Sequence, residues 1–141
     1  MTLKYESTES PRDDDVAIVR KHLRAYNRSR AEEGPDQKLA IFARDDGNNI
    51  VGGVTGRVSW GWLYVDLLWV HENHRGHDVG SRLLAQIEDM ARPYNVVGFH
   101  LGTTDFQALD FYLKNGYDVW GQLPDYPPGY TNYSLRKLNN D

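Results

Sequence analysis

One stretch in the middle of the chain constrains the fold more than any other. Residues 62–70 form an apolar run with a single acid, Asp66. A loop over 71–77 then leads into the segment from Val79 to about Arg92, whose apolar residues up to Met90 recur at helical spacing on one face, and a second apolar run follows at 96–102. A buried strand, a helix and another buried strand in this order are typical of a parallel β-α-β unit. The sequence therefore predicts an α/β fold.

The remaining segments supply further strands and helices around this unit. We predict strands over residues 2–7, 38–44, 50–60, 117–120 and 130–138, and helices over residues 13–30 and 107–115. Glycines 52, 53 and 56 inside one of these strands indicate a bulge or a close approach by another group. Without internal repeats or a linker, the expected architecture is one domain over residues 1–141, a mixed six- to seven-stranded sheet flanked by helices.

Composition excludes several classes of protein. The 141 residues include no cysteine, which removes disulfides, thiolate metal sites and cysteine nucleophiles together. Sixteen Lys and Arg against twenty Asp and Glu give a net charge of −4, which argues against nucleic-acid binding through a broad basic face. The N-terminus lacks the apolar core of a signal peptide, and the longest apolar run, Leu67–Val70, is far shorter than the roughly 18 residues of a membrane helix. We expect a soluble, cytoplasmic protein with no membrane partner.

The junction between the apolar run and the following helix is a candidate anion site. The first turn of a helix has free N–H groups and a partial positive charge, so a phosphate fits there. Gly80 would allow close approach of the backbone, and Arg75 and Arg82 add cationic donors. The alternative is that glycine serves only the geometry of the turn, and the spacing alone leaves both interpretations open.

Three motifs at matching separations resemble the GNAT family of N-acetyltransferases. Arg75-Gly76-His77-Asp78-Val79-Gly80 is similar to the Arg/Gln-x-x-Gly-x-Gly/Ala loop of that family, with Asp78 in place of the central glycine. The segment 106–117 resembles the family's helix ending in Tyr-x-x-x-Gly-Phe/Tyr, and residues 125–130 resemble the closing segment of small bacterial members. The likeness covers nearly the whole chain and implies a GNAT-like sheet and acetyl-CoA as the acetyl donor, with no metal.

The resemblance also implies where acetyl-CoA binds. The backbone of Leu68, Trp69 and Val70 would pair with the amides of pantetheine as an added strand would. The main-chain amides of the loop and first helical turn would hold the pyrophosphate; these residues are Arg75, Gly76, His77, Asp78, Val79, Gly80 and Ser81. Asp105 occupies the position of an asparagine that commonly contacts the cofactor in the family, so we expect the nearby Gln107 to replace that contact.

Three side chains are candidate catalytic residues. Tyr112 matches the tyrosine general acid of the family, and its alternative role is packing on an apolar helix face. Asp66 is a candidate base because it is the one acid in an apolar run, although an ordinary hydrogen-bonded aspartate fits as well. His100 falls where some family members carry a glutamate base, and its usual pKa near 6.5 suits that role. Without cysteine, direct attack by the amine on the thioester is expected.

Other features leave the acceptor and the activity open. His71, His74 and His77 suggest a metal site only weakly, because no carboxylate follows at a zinc-ligand spacing. Trp60, Trp62 and Trp120 are candidates for lining an acceptor pocket, together with residues 126–130. The predicted function is acetyl transfer to a primary amine of a small molecule or peptide. The alternative is a catalytically silent acyl-CoA-binding sensor module. Aromatic residues between positions 120 and 133 favour a homodimer.

Overall fold

A computed structural model describes residues 1–140, which divide into a unit of residues 1–33 and a second unit that begins at Gly34. The first unit contains helix α1, Asp13–Arg30, as predicted. Three aspartates lie in its first turn and two arginines in its last, which suits the helix dipole. The predicted strand over 2–7 is wrong: a strand needs a partner for its backbone, and residues 1–33 contain no second strand. The expectation of a single domain over 1–141 stays a prediction.

The second unit is built on one six-stranded sheet. Its strands are β1 (Gln37–Arg44), β2 (Ile50–Ser59), β3 (Trp62–Val70), β4 (Gly98–Thr104), β5 (Asp118–Pro124) and β6 (Thr131–Leu138). Their order in the sheet is β1-β2-β3-β4-β6-β5. Strands β3 and β4 are parallel and every other neighbouring pair is antiparallel. The predicted mixed sheet with a parallel β-α-β unit is confirmed, with six strands.

Helix α2 (Val79–Ala91) connects β3 to β4 and covers one face of the sheet. Its buried positions are Leu83, Leu84, Ile87, Glu88 and Ala91. The sequence predicts Met90 on this face, but Met90 is 41% exposed. Positions 84, 87, 88 and 91 follow the i, i+3, i+4, i+7 spacing of a helical stripe, and position 90 falls outside it.

Several predicted boundaries shift by two to four residues. Helix α3 is Leu109–Lys114, shorter than predicted, because Gln107 first closes a turn on Thr104 through its backbone N–H. Strand β5 runs on to Pro124 because its pairing with β6 continues through residues that the sequence indicates as loop. Strand β4 begins at Gly98 rather than at residue 96.

The glycines of β2 mark a close approach, as the sequence indicates. A Cβ atom on Gly56 would lie 2.7 Å from the Tyr64 carbonyl oxygen and 3.2 Å from the Ile87 side chain, so α2 can pack closely there only over glycine. Between Thr55 and Gly56 the register with β3 shifts, which leaves Asp66 as an extra residue on β3. This bulge lies beside the candidate site.

A polar cluster around the buried Glu88 connects α2 to the sheet through hydrogen bonds. The Tyr117 hydroxyl donates a hydrogen bond of 2.7 Å to one Glu88 carboxylate oxygen, and the Lys137 ammonium donates one of 2.9 Å to the other. Burial and the adjacent carboxylate both raise the pKa of Tyr117 far above its usual value, so its hydroxyl keeps its proton. Within residues 1–140 no helix is long and apolar enough to span a membrane.

Candidate active site

The parallel strands β3 and β4 separate part-way along their length. They pair at Trp62 with Gly98, at Leu63 with Phe99 and at Tyr64 with His100, and no register pair follows in the described chain. Strand β3 continues for six more residues to Val70, paired only with β2 on its other side. The edge of β3 beyond Tyr64 therefore has main-chain groups available to an extended ligand.

A groove of about 920 Å³ occupies the space between the separated strands. Its lining includes the predicted catalytic and cofactor-binding residues other than His77 and His100: Asp66, Leu68, Trp69, Val70, Arg75, Gly76, Asp78, Val79, Gly80, Ser81, Gln107 and Tyr112. Arg82, which the sequence suggests as a further cationic donor, is not among the lining residues. The sequence places these residues on a strand, a loop and two helices, and the fold brings them to one surface. His77 is exposed on the loop outside the lining.

The loop before α2 presents free backbone donors to the groove. Gly76 and Asp78 have φ angles of 81° and 60°, so both are left-handed, a conformation that aspartate tolerates. Asp78 is the N-cap of α2, and its side chain makes no capping hydrogen bond. The N–H groups of the first turn are therefore not covered by a side chain, which is the arrangement that binds phosphate at a helix N-terminus.

Two predicted cofactor contacts are partly engaged within the protein. The Arg75 Nε atom donates to the Val70 carbonyl oxygen at 3.0 Å, which ties the loop to the end of β3. The Gln107 Oε1 atom accepts from the Thr104 N–H at 2.8 Å and from the Thr103 hydroxyl at 3.2 Å. Gln107 therefore keeps only its amide N–H group for a ligand.

Gly80 has a packing role that the sequence does not show. A Cβ atom at this position would lie 3.3 Å from the Phe111 ring on α3. The missing side chain thus allows α2 and α3 to approach each other at the groove. The sequence gives no sign of the contact between Gly80 and Phe111, because the two residues are distant in the chain and meet only in the fold.

Tyr112 lies on α3 and is 8% exposed. Its ring makes edge contacts with Phe111 at 5.1 Å and with Tyr117 at 5.9 Å between centroids. Burial raises the pKa of the Tyr112 phenol above its usual value, so the hydroxyl is protonated at neutral pH. Tyr112 is one of the residues that line the groove, and a protonated phenol has the chemistry of a proton donor.

The two candidate bases lie in different places. Asp66 is exposed and lines the groove at the bulge of β3. His100 is half-buried between Tyr64 and Trp62, with ring centroids 5.0 Å and 5.8 Å away, and lines a second pocket of about 310 Å³ together with Trp62, Trp120 and Arg136. Burial lowers the pKa of His100, so its imidazole is neutral at pH 7. Because His100 is in register with Tyr64, it stands where the strands begin to separate.

The histidine run does not assemble into a metal site in the described structure. The His71 Nδ1 atom accepts a hydrogen bond of 3.1 Å from the Asn73 backbone N–H, and the rings of His71 and His74 stand 6.2 Å apart. Among residues 1–140, no group of three or more His, Cys, Asp or Glu side chains is placed to hold a metal ion.

The fold and the groove correspond to the acyltransferase class that the motifs resemble. The family described as the acetyltransferase (GNAT) family matches residues 4–117, which is most of the chain. The protein therefore belongs to the GNAT family of acetyltransferases and is an acyltransferase enzyme.

Named relatives agree with this assignment. A blasticidin-S acetyltransferase of Streptomyces morookaense is 43% identical over 117 residues, which cover 82% of this chain and 86% of that protein. An acetyltransferase of Agrobacterium fabrum is 36% identical over 119 residues, covering 84% and 87%. The crystal structure of an acetyltransferase from Bacillus cereus superposes with a TM-score of 0.88 at 28% identity, over 95% of this chain and 98% of the other.

Proposed function

We propose that this enzyme transfers the acetyl group of acetyl-CoA to a primary amine of a small molecule. The groove between the separated strands carries the proposal, because it joins an unpaired strand edge, a helix N-terminus and a protonated tyrosine in one surface. The relative named for blasticidin S supports a small-molecule acceptor. A peptide amine is the other acceptor class that the sequence leaves open.

In this proposal acetyl-CoA lies along the groove. Pantetheine amides pair with the edge of β3 at Leu68, Trp69 and Val70, which has no neighbouring strand on that side in the described chain, as an added strand would. The pyrophosphate accepts from the uncapped N–H groups at the start of α2, and the Arg75 guanidinium adds positive charge beside them. The Gln107 amide N–H group donates to the cofactor; this part of the proposal is supported by the position of Gln107 in the groove lining, with its oxygen already bound to Thr104.

The chemical step is direct attack by the amine. The neutral amine nitrogen adds to the thioester carbonyl carbon, and the tetrahedral intermediate then loses the thiolate as the C–S bond breaks. Tyr112 gives its proton to the departing sulfur, and a base takes the surplus proton from the nitrogen. His100 is neutral and can accept that proton, and Asp66 can accept it through a water molecule at the groove.

A panel of primary amines incubated with acetyl-CoA tests the proposal, with free CoA thiol as the readout. We expect thiol release that depends on both the amine and the enzyme, with one equivalent of acetylated amine formed for each thiol. Acetyl-CoA binding without thiol release for any amine would instead favour the sensor module. The Lys38→Gln variant changes an exposed residue on β1 outside both pockets, and it should release thiol at the wild-type rate.

A further inference from the structure

The second pocket lies on a row of side chains that crosses four strands. Tyr64 on β3 is in register with His100 on β4, His100 with Arg136 on β6, and Arg136 with Asp118 on β5. Residues directly opposite each other in a sheet present their side chains on the same face. The neighbouring positions Phe99, Leu101 and Leu135 are buried in the core, so this row lies on the face opposite α2.

Two tryptophans form the walls of this pocket. Trp62 extends over the backbone of β4, where a Cβ atom on Gly98 would lie 2.8 Å from its ring. Trp120 is the extra residue of a bulge between Val119 and Gly121 on β5, and its side chain is 60% exposed. Indole walls bury the faces of a planar ring at little entropic cost, because each has only two side-chain torsions.

The Arg136 guanidinium gives the pocket a positive charge that is available to bind a ligand. In the described part of the chain, neither a hydrogen bond nor an ion pair engages the Arg136 guanidinium. Asp118 is its register partner on β5 but forms no ion pair with it. Lys137, the next residue on β6, instead contacts Glu88. A guanidinium with free donors recognises a carboxylate in a two-point contact.

We propose that this pocket binds the far end of the acceptor: a planar ring that carries a carboxylate. Aromatic walls alone would also attract a cation, but the Arg136 guanidinium repels one and therefore selects the anion. The inference rests on the proposed acetyl transfer, since it names the class of amine that the enzyme takes.

The position of the pocket fits this role. His100 lines the pocket and is paired with Tyr64, the last β3 residue before the strands separate. Asp66, which lines the groove, follows two residues later, a distance of roughly 7 Å along a strand. A ring held between the two tryptophans thus leaves a short amine-bearing arm to reach the groove beside His100.

Calorimetric binding without acetyl-CoA tests the pocket independently of turnover. The probes are 4-(aminomethyl)benzoate and 4-(aminomethyl)benzamide, which differ only in the charged group. We expect the benzoate to bind about tenfold more tightly, the gain of one charge-assisted hydrogen bond. Arg136→Gln should remove that preference, Arg136→Lys should keep part of it, and Asp118→Asn should strengthen benzoate binding. Trp120→Leu should weaken both probes, and Lys38→Gln should change neither.

Equal binding of the two probes, or a preference that survives in Arg136→Gln, would overturn the inference. Kinetics with the same amines separate it from the proposed function. Benzoate binding that needs Arg136, without thiol release from any amine, supports the pocket and contradicts acetyl transfer. Thiol release with equal KM for both probes in the wild type and in Arg136→Gln supports acetyl transfer and contradicts the pocket.

Discussion

At the scale of single residues, burial shifts the pKa values of two candidate catalytic side chains in opposite directions. Burial raises the pKa of Tyr112 and lowers that of His100, so the first holds its proton and the second is free to accept one. A donor and an acceptor of this kind are what general acid–base catalysis needs at neutral pH.

Replacing Tyr112 with phenylalanine removes the donor and keeps the ring. We expect kcat to fall about tenfold to a thousandfold, with acetyl-CoA affinity and thermal stability nearly unchanged. Pre-steady-state thiol release, measured where chemistry limits the rate, checks this. A wild-type rate would show that Tyr112 only packs the core, and loss of cofactor binding would show that its hydroxyl positions acetyl-CoA.

The pH dependence distinguishes the two candidate bases. If His100 accepts the proton, kcat/KM rises with pH through a pKa below 6.5 and then stays level until the tyrosine loses its proton above pH 10. His100→Gln should lower kcat and remove the acidic limb, whereas Asp66→Asn should keep it. The reverse pattern, with the limb lost only in Asp66→Asn, would assign the base to Asp66. The amine's own ionisation is measured separately and subtracted.

At the scale of elements, α2 serves both the fold and the groove. Its first turn presents free N–H groups to the groove, and its last turns place Glu88 between Tyr117 and Lys137. The helix therefore joins the predicted pyrophosphate site to a buried polar cluster at the other end of the sheet. Stability and cofactor binding are expected to respond to different positions along it.

Glu88→Ala tests the buried end of the helix. The change leaves the Tyr117 hydroxyl without a hydrogen-bond partner in the core. It also removes the partner of Lys137, but this costs less free energy because the Lys137 ammonium is partly solvated. We expect a loss of about 2–4 kcal/mol in the free energy of unfolding, measured in urea. The control is Asp89→Ala at the next position of the helix, which removes an ion pair between the exposed Asp89 and Arg92 and should cost at most about 1 kcal/mol. Equal losses would contradict the role of Glu88.

Substitutions in the first turn test the anion site. Acetyl-CoA should raise the melting temperature of the wild type through linkage, and Ser81→Glu should abolish the rise because its charge repels the pyrophosphate. Gly80→Glu should abolish it as well and also lower the melting temperature of the free protein, since the new side chain meets Phe111. Gln86→Glu, exposed on the same helix, is the control. An undiminished rise in both variants would refute the site.

At the scale of the whole molecule, one sheet carries both the groove and the second pocket, and the last paired residues of β3 and β4 lie between them. The same sheet ends in two edge strands, β1 and β5. An edge strand with exposed apolar side chains is a surface on which a second copy of a chain can pair.

We expect a homodimer formed through β5. Leu123 on this edge is 54% exposed, and Trp120 is exposed beside it. Light scattering at tens of micromolar should give twice the mass of one chain, and Leu123→Lys should shift the equilibrium towards monomer. Phe42→Lys on the opposite edge strand is the matched control. A wild-type monomer at that concentration would refute the prediction.

The sequence by itself determined the β-α-β unit, most of the buried face of its helix and the loop that precedes this helix. These features follow from periodicity and from turn residues, which act over a few neighbouring positions, so the helix Val79–Ala91 can be predicted from its own segment of the sequence. The resemblance predicts a role for Tyr112 from a contiguous motif for the same reason, and that role stays a prediction. Residues 2–7 show where prediction from local sequence fails. Their alternating polar and apolar residues are typical of a strand, but a strand forms only where its backbone has a partner.

Only the tertiary structure decided which distant residues share a surface. Strands β3 and β4 separate after Tyr64, which puts His100 in a different pocket from Tyr112, and no local pattern specifies where pairing stops. Arg136 and Glu88 were missed because a single arginine on a strand, or a glutamate on a helix, reads as a solvated side chain. Their roles depend on register across β4, β5 and β6 and on burial beneath α2, which are non-local properties set by the packing of the whole sheet.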